Sequence, residues 1–197
     1  KSKESIIFFK THNVRGIVNG KYFTDANVCS GFIYLIRDPR DIVISYSKHM
    51  KISIDKAIDI LLYKNNYVTE VLNVNEAVCT WENHLNSWVN FKTVPRLIMK
   101  YEDMIQDNKK TINQIANFLN IILKNNKLTS YKNIENTLKN TSFENLKKLE
   151  SSEGFVEATN EKFFRSGKSQ QWKNILSFSQ RNLIEVNLKK TMKIIGY

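Results

Sequence analysis

One unit restricts this chain more than any other. An uninterrupted apolar run, Gly31-Phe32-Ile33-Tyr34-Leu35-Ile36, stops at Arg37-Asp38-Pro39-Arg40-Asp41, and Ile42, Val43, Ser45 and Tyr46 follow. The run has the length and β-former content of a strand, and its lack of alternation is that of a strand covered on both faces. Asp38 suits a helix N-cap. Pro39 suits the first helical position, where its missing N–H is no loss. A strand feeding straight into a helix is half of a βαβ unit, whose strands run parallel. Arg37 then falls at the carboxyl end of the strand, where open α/β sheets bind ligands. The amino end of the next helix points its free N–H groups and positive dipole end at the same crevice. The guanidinium fork of Arg37 suits a phosphate, and Ser45, two turns into the helix, can add a donor. A structural Arg–Asp network among Arg37, Asp38, Arg40 and Asp41 accounts for the same residues, and spacing alone does not choose between the two.

The rest of the chain alternates in the same way. Strands are expected at 5–10, 31–37 and 95–101. Helices are expected from Asp38 onward, at 54–68 with Ser53 as cap, and at 75–91, 109–119, 127–139, 142–149 and 179–194, the last capped by Ser177 or Ser179. Residues 13–30 read as irregular. Residues 151–173 read as a long polar loop, a feature compact domains keep mostly for function. The fold class is therefore α/β, a three-layer sandwich around a central parallel sheet, in a single domain over 1–197.

Composition narrows the classes of function. At 42% hydrophobic and 25% charged over 197 residues, the chain can bury a core, which excludes wholesale disorder. No apolar run approaches the ~18 residues of a membrane span. Cys29 and Cys79 lie far apart, so they read as reduced and buried, in keeping with a cytoplasmic location. Three histidines without ligand spacing argue against a metal centre. The net charge of +11 points to an anionic partner. The charge alone fits a phosphorylated small molecule, a nucleic acid or a membrane surface, and a solvated lysine-rich face accounts for it as well; the lack of a nucleic-acid module or an aromatic-interleaved basic stripe speaks against nucleic acid.

Six segments in order resemble the sulfotransferases that use 3′-phosphoadenosine 5′-phosphosulfate (PAPS). Residues 31–50 resemble the strand and Arg-x-Pro-Arg-Asp…Val-Ser-Tyr helix of their 3′-phosphate site. Lys10-Thr11-His12 resembles the Lys-Thr-His element, and Trp81…His84…Trp88 a Trp/His helix. The run from Arg96 to Met104 is similar to the strand ending in Tyr-Glu-Asp-Met. Thr141-Ser142-Phe143 is similar to the adenine-holding Thr-Ser-Phe. The run from Arg165 to Asn174 resembles the loop that closes over the 3′-phosphate.

The resemblance implies a P-loop-NTPase-like sulfotransferase fold and sulfuryl transfer from PAPS to a hydroxyl or amine of a small-molecule or glycan acceptor. Adenosine 3′,5′-bisphosphate is the implied product, and no metal is needed. It makes His12 the general base and Lys10 its catalytic neighbour. It assigns Arg37, Ser45, Tyr101, Thr141, Phe143, Arg165, Ser166 and Gly167 to the nucleotide. A homodimer is one candidate assembly. Two departures stand out. Ser166 and Gln170-Gln171 replace the family's Lys and Gly-Asp in the closing loop, and nothing matches its phosphosulfate loop. Gly16…Gly20-Lys21 has the wrong spacing for a P-loop and reads as a turn. An amino-terminally truncated, inactive domain is therefore expected. The alternative is a non-catalytic remnant that binds adenosine 3′,5′-bisphosphate. Phe23, Tyr63 and Phe155 are candidate acceptor contacts on loops.

Overall fold

The computed structural model describes residues 7–18, 20–64, 68–71, 74–124, 129–155, 162–164 and 166–197. Two short strands, β1 (Ile17–Val18) and β2 (Lys21–Tyr22), form a hairpin, so the turn read at 16–21 is a turn, with Gly20 at φ +76°. The central unit is β3 (Phe32–Ile36), followed by α1 (Pro39–His49). Asp38 is the N-cap of α1, accepting the Arg40 N–H, and Pro39 opens the helix. Next come α2 (Ile54–Tyr63), capped by Ser53, the antiparallel pair β4 (Val68–Val71) and β5 (Val74–Ala77), and α3 (Trp81–Val89). β6 (Arg96–Lys100) pairs in parallel with β3, Phe32 opposite Arg96 through Ile36 opposite Lys100. The remainder is helical: α4 (Tyr101–Gln106), α5 (Asn108–Leu123), α6 (Tyr131–Asn140), α7 (Phe143–Glu153), α8 (Trp172–Ile175) and α9 (Phe178–Ile195).

Several expectations are corrected. Residues 7–10 form no strand, and Ile7, Phe8 and Phe9 are exposed. A strand needs a ladder partner, and these residues have none among the described residues. Lys10 and His12 therefore do not share a strand face. The helix expected at 54–68 stops at Tyr63, and the one expected from 75 begins only at Trp81. Between them Val68-Thr69-Glu70-Val71 follows its β-branched content into a strand. Thr80 then caps α3 by accepting from the Asn83 N–H. Asp107 caps α5 by accepting the Lys110 N–H. The expected 151–173 loop begins later, because α7 runs on to Glu153 before Gly154 at φ +78° ends it. β3 is not covered on both faces: Ile33 and Leu35 are 42% and 49% exposed, while Ile36 is buried.

The main core lies among α1, α2 and α9. Val43, Ile44, Ile58 and Ile184 are essentially sealed from solvent there, with Ala57, Leu61, Leu176, Leu188 and Met192 around them. Each such large aliphatic contributes about 1.5–3 kcal/mol by leaving water. Ser177 and Gln180 start α9 with a reciprocal capping box. A smaller cluster of Trp88, Phe91 and Val94 packs against Cys29, Phe32 and Tyr34, and so joins α3 to β3. These two clusters anchor α1 and α3, the two helices that carry the site. Cys29 and Cys79 are half-buried and form no disulfide.

Candidate functional site

The first turn of α1 sorts its charges in an informative way. Asp38 holds Arg40 through two nitrogens, Nε at 2.9 Å and Nη2 at 2.7 Å, and Glu185 of α9 takes Nη1 at 2.6 Å. The Arg40 guanidinium also lies 3.8 Å over the Trp172 ring. Asp41 is buried and turns to the backbone instead, accepting the N–H of Gln170 at 2.6 Å and of Trp172 at 3.0 Å. Burial pushes its carboxyl above the usual range, against the downward pull of those two bonds. The structural Arg–Asp network thus exists, but it is centred on Arg40.

Arg37 is left for other work. Its guanidinium sits 4.3 Å over the Tyr101 ring, Nη2 donates to the Lys168 carbonyl at 3.4 Å, and its buried Nε has no hydrogen-bond partner among the described residues. A buried donor without a partner is unfavourable in isolation and favours an acceptor from outside the chain. Glu102, next to Tyr101, accepts the Asp38 N–H and the Tyr197 hydroxyl, which ties β6 and α4 to the cap of α1.

The closing loop meets this group from the other side. Gly167 has φ +59°, and a Cβ there would lie 2.8 Å from the Phe143 ring. Only glycine allows that approach. Phe143 is the first residue of α7, and its ring meets Phe164 edge-on. Thr141, just before the Ser142 cap, donates its hydroxyl to the Thr137 carbonyl at 2.8 Å. The structure therefore draws Arg37, Tyr101, Gly167 and Phe143 to one place, with half-buried Ser166 in the same loop. Ser45 is exposed on α1. Arg165 lies outside the described residues.

His12 belongs to a second group, built on α3. His84 Nε2 lies 3.2 Å from the His12 carbonyl, and its Nδ1 lies 2.8 Å from the Tyr34 hydroxyl. A carbonyl only accepts, so Nε2 carries the proton and Nδ1 accepts from Tyr34. Burial lowers the pKa of His84 and raises that of Tyr34, which keeps both neutral in this arrangement. Trp88 Nε1 donates to the Asn13 carbonyl at 3.0 Å, and Ser87 Oγ accepts the Arg15 N–H at 3.1 Å. Three side chains of one helix thus hold the backbone at His12, Asn13 and Arg15. His84, between Trp81 and Trp88, is a hydrogen-bonded packing histidine. Its bond to the His12 backbone had no signal in the sequence. His12 and Lys10 themselves are exposed.

The two groups are joined through β3. Tyr34 reaches His84, and Arg37 follows the strand's last residue. Phe155 packs on Phe163 and Phe164 near the closing loop, Phe23 meets Trp88 edge-on, and Tyr63 is half exposed at the end of α2. Among the described residues no three His, Cys, Asp or Glu side chains are grouped to hold a metal, and no helix is long and apolar enough to cross a membrane.

Comparison with known proteins gives a consistent result. The family model "sulfotransferase domain" matches residues 1–196. Sulfotransferase 2A2 of Rattus norvegicus is 30% identical over 171 residues, 81% of this chain and 55% of the relative. Luciferin sulfotransferase of Photinus pyralis is 28% identical, covering 88% of this chain and 47% of its own length. The chain thus spans about half the length of the relatives it matches. Mouse sulfotransferase SULT7A1, solved in complex with PAP, superimposes with a TM-score of 0.60 at 20% identity, over 82% of this chain and 58% of that one. Retinol dehydratase in complex with androsterone and the inactive cofactor PAP does so with a TM-score of 0.61 at 23% identity, over 82% and 47%. These likenesses show the α/β fold of such proteins.

Proposed function

The chain belongs to the sulfotransferase domain family, and on that premise we propose that it carries the nucleotide site and acceptor base of an enzyme that moves a sulfuryl group from PAPS to a small-molecule hydroxyl or amine. The observation that carries this reading is Arg37. Its guanidinium stands on Tyr101 at the carboxyl end of β3, beside the Gly167 loop, with a buried Nε in need of an acceptor. That environment suits a doubly charged 3′-phosphate: one fork of charged donors, the amino end of α1, and loop N–H groups. Phe143, against which Gly167 packs, offers a ring face to adenine, and Thr141 a hydroxyl at its edge. Ser45, Ser166 and Arg165 are the remaining donors.

PAPS would supply an activated sulfuryl group whose bond to the 5′-phosphate breaks as the acceptor oxygen or nitrogen attacks sulfur. The residues of this chain do the rest. His12 takes the proton released by the acceptor. Its backbone carbonyl is held by His84, which places the residue in the chain beside β3. Lys10 offers a cation to the oxygens that gain charge. The exposed aromatics Phe23 and Tyr63, with half-buried Phe155, are candidates for an apolar acceptor wall. A reducing cytoplasmic setting fits the two free thiols.

The test is a thermal-shift titration with adenosine 3′,5′-bisphosphate against 5′-ADP. A ligand that binds only the folded state raises the melting temperature. The expected result is a rise with the bisphosphate that 5′-ADP does not match and that Arg37→Ala abolishes. Equal shifts with both nucleotides would refute the assignment of a 3′-phosphate site.

A further inference from the structure

We propose, resting on the nucleotide site just described, that Asp41 is a positioning residue that latches the closing loop onto α1 and thereby sets the preference for a 3′-phosphate. Four observations converge. Asp41 is 1% exposed, and its two oxygens take two different loop amides, Gln170 on Oδ2 and Trp172 on Oδ1. Between those amides and Gly167 lies Lys168, whose carbonyl takes Arg37 Nη2. Arg40, fixed by Asp38 and Glu185, covers the ring of Trp172 from the same helix. Gln170 holds φ +59°, a left-handed conformation that a side chain rarely adopts and that the family's glycine would take freely. The loop keeps that path without the glycine because its amide is gripped by a carboxylate.

Charge makes the point sharper. Asp41 is close enough to Arg37 for the two to interact electrostatically. A carboxylate near an intended anion site repels the anion, so its presence there is explained by what it holds rather than by what it attracts. On charge alone, Asp41→Asn would tighten phosphate binding. As a latch, the same change must weaken it, because an amide side chain has one acceptor for two N–H groups.

The experiment measures the affinity of the full chain for adenosine 3′,5′-bisphosphate and for adenosine 5′-monophosphate by titration calorimetry, in wild type, Asp41→Asn and Asp41→Asn/Gln170→Gly. Expected in Asp41→Asn is a loss of about tenfold for the bisphosphate, with the monophosphate nearly unchanged. The glycine should restore part of the loss by relieving the loop. Bisphosphate affinity that is unchanged or improved in folded Asp41→Asn overturns the latch while leaving the nucleotide site intact. A wild type that does not prefer the bisphosphate overturns the site and the latch together. Should Asp41→Asn fail to fold, amide exchange in the unmutated chain decides. Gln170 and Trp172 are expected to be protected already without ligand. If they exchange freely until the bisphosphate is added, the latch is wrong.

Discussion

Gln170 and Gly167 lie three positions apart, both have φ near +59°, and only one is a glycine. The non-glycine stores strain. Replacing it, as Gln170→Gly, should raise stability by roughly 0.5–1 kcal/mol, since a side chain in the left-handed region is penalised more than glycine's extra freedom in the unfolded chain. The exposed bond from Lys173 Nζ to its amide oxygen should subtract little. Urea unfolding measures this, and a lower midpoint would show that the position is unstrained. Gly167→Ala should do the reverse. The added Cβ meets the Phe143 ring at 2.8 Å in a backbone conformation alanine resists, so stability falls by about 1 kcal/mol or more and bisphosphate affinity with it. At this scale the place of Arg37 was legible, because the apolar run before it ends as a strand end must. The division of labour beside it was not. Sequence spacing treats Arg37, Arg40, Asp38 and Asp41 as one network, and only packing against Trp172 and Glu185 separates them.

At the scale of elements, α3 is a template for the backbone around His12. Neutral His84 is its central contact, and its pKa is lowered by burial. An unfolded histidine takes its proton near pH 6.5, so between that value and the lower folded one the unfolded state binds more protons. The stability this arrangement contributes is fully present above the unfolded pKa and is lost as pH falls through the window below it. Melting temperatures from pH 7.5 to 5 should therefore drop more steeply in wild type than in His84→Gln, which keeps a donor for the His12 carbonyl but does not titrate. Parallel slopes would show that His84 does not carry the effect. The elements themselves were unevenly legible. β3 and α1 could be read because Asp38-Pro39 is a local stop and start signal. The β4–β5 hairpin and α4 could not, because their hydrophobic pattern is that of the neighbouring helix or strand and only pairing or capping decides the boundary. The strand read at 5–10 shows the opposite error: its apolar residues have the propensity, but 7–10 lack the ladder.

At the scale of the whole molecule, two clusters hold the site from opposite sides: α1 with α2 and α9, and α3 with β3. The net charge of +11 should draw an anionic nucleotide in, so bisphosphate affinity should weaken as salt rises. The central claim is that the 3′-phosphate sits at the junction of β3, the amino end of α1 and the Gly167 loop. The most direct measurement is a crystal structure of the full chain with adenosine 3′,5′-bisphosphate. The 3′-phosphate is expected within hydrogen-bond distance of the Arg37 guanidinium and the backbone of residues 166–167, with adenine against Phe143. A nucleotide bound elsewhere, or one whose 3′-phosphate does not touch Arg37, would contradict it.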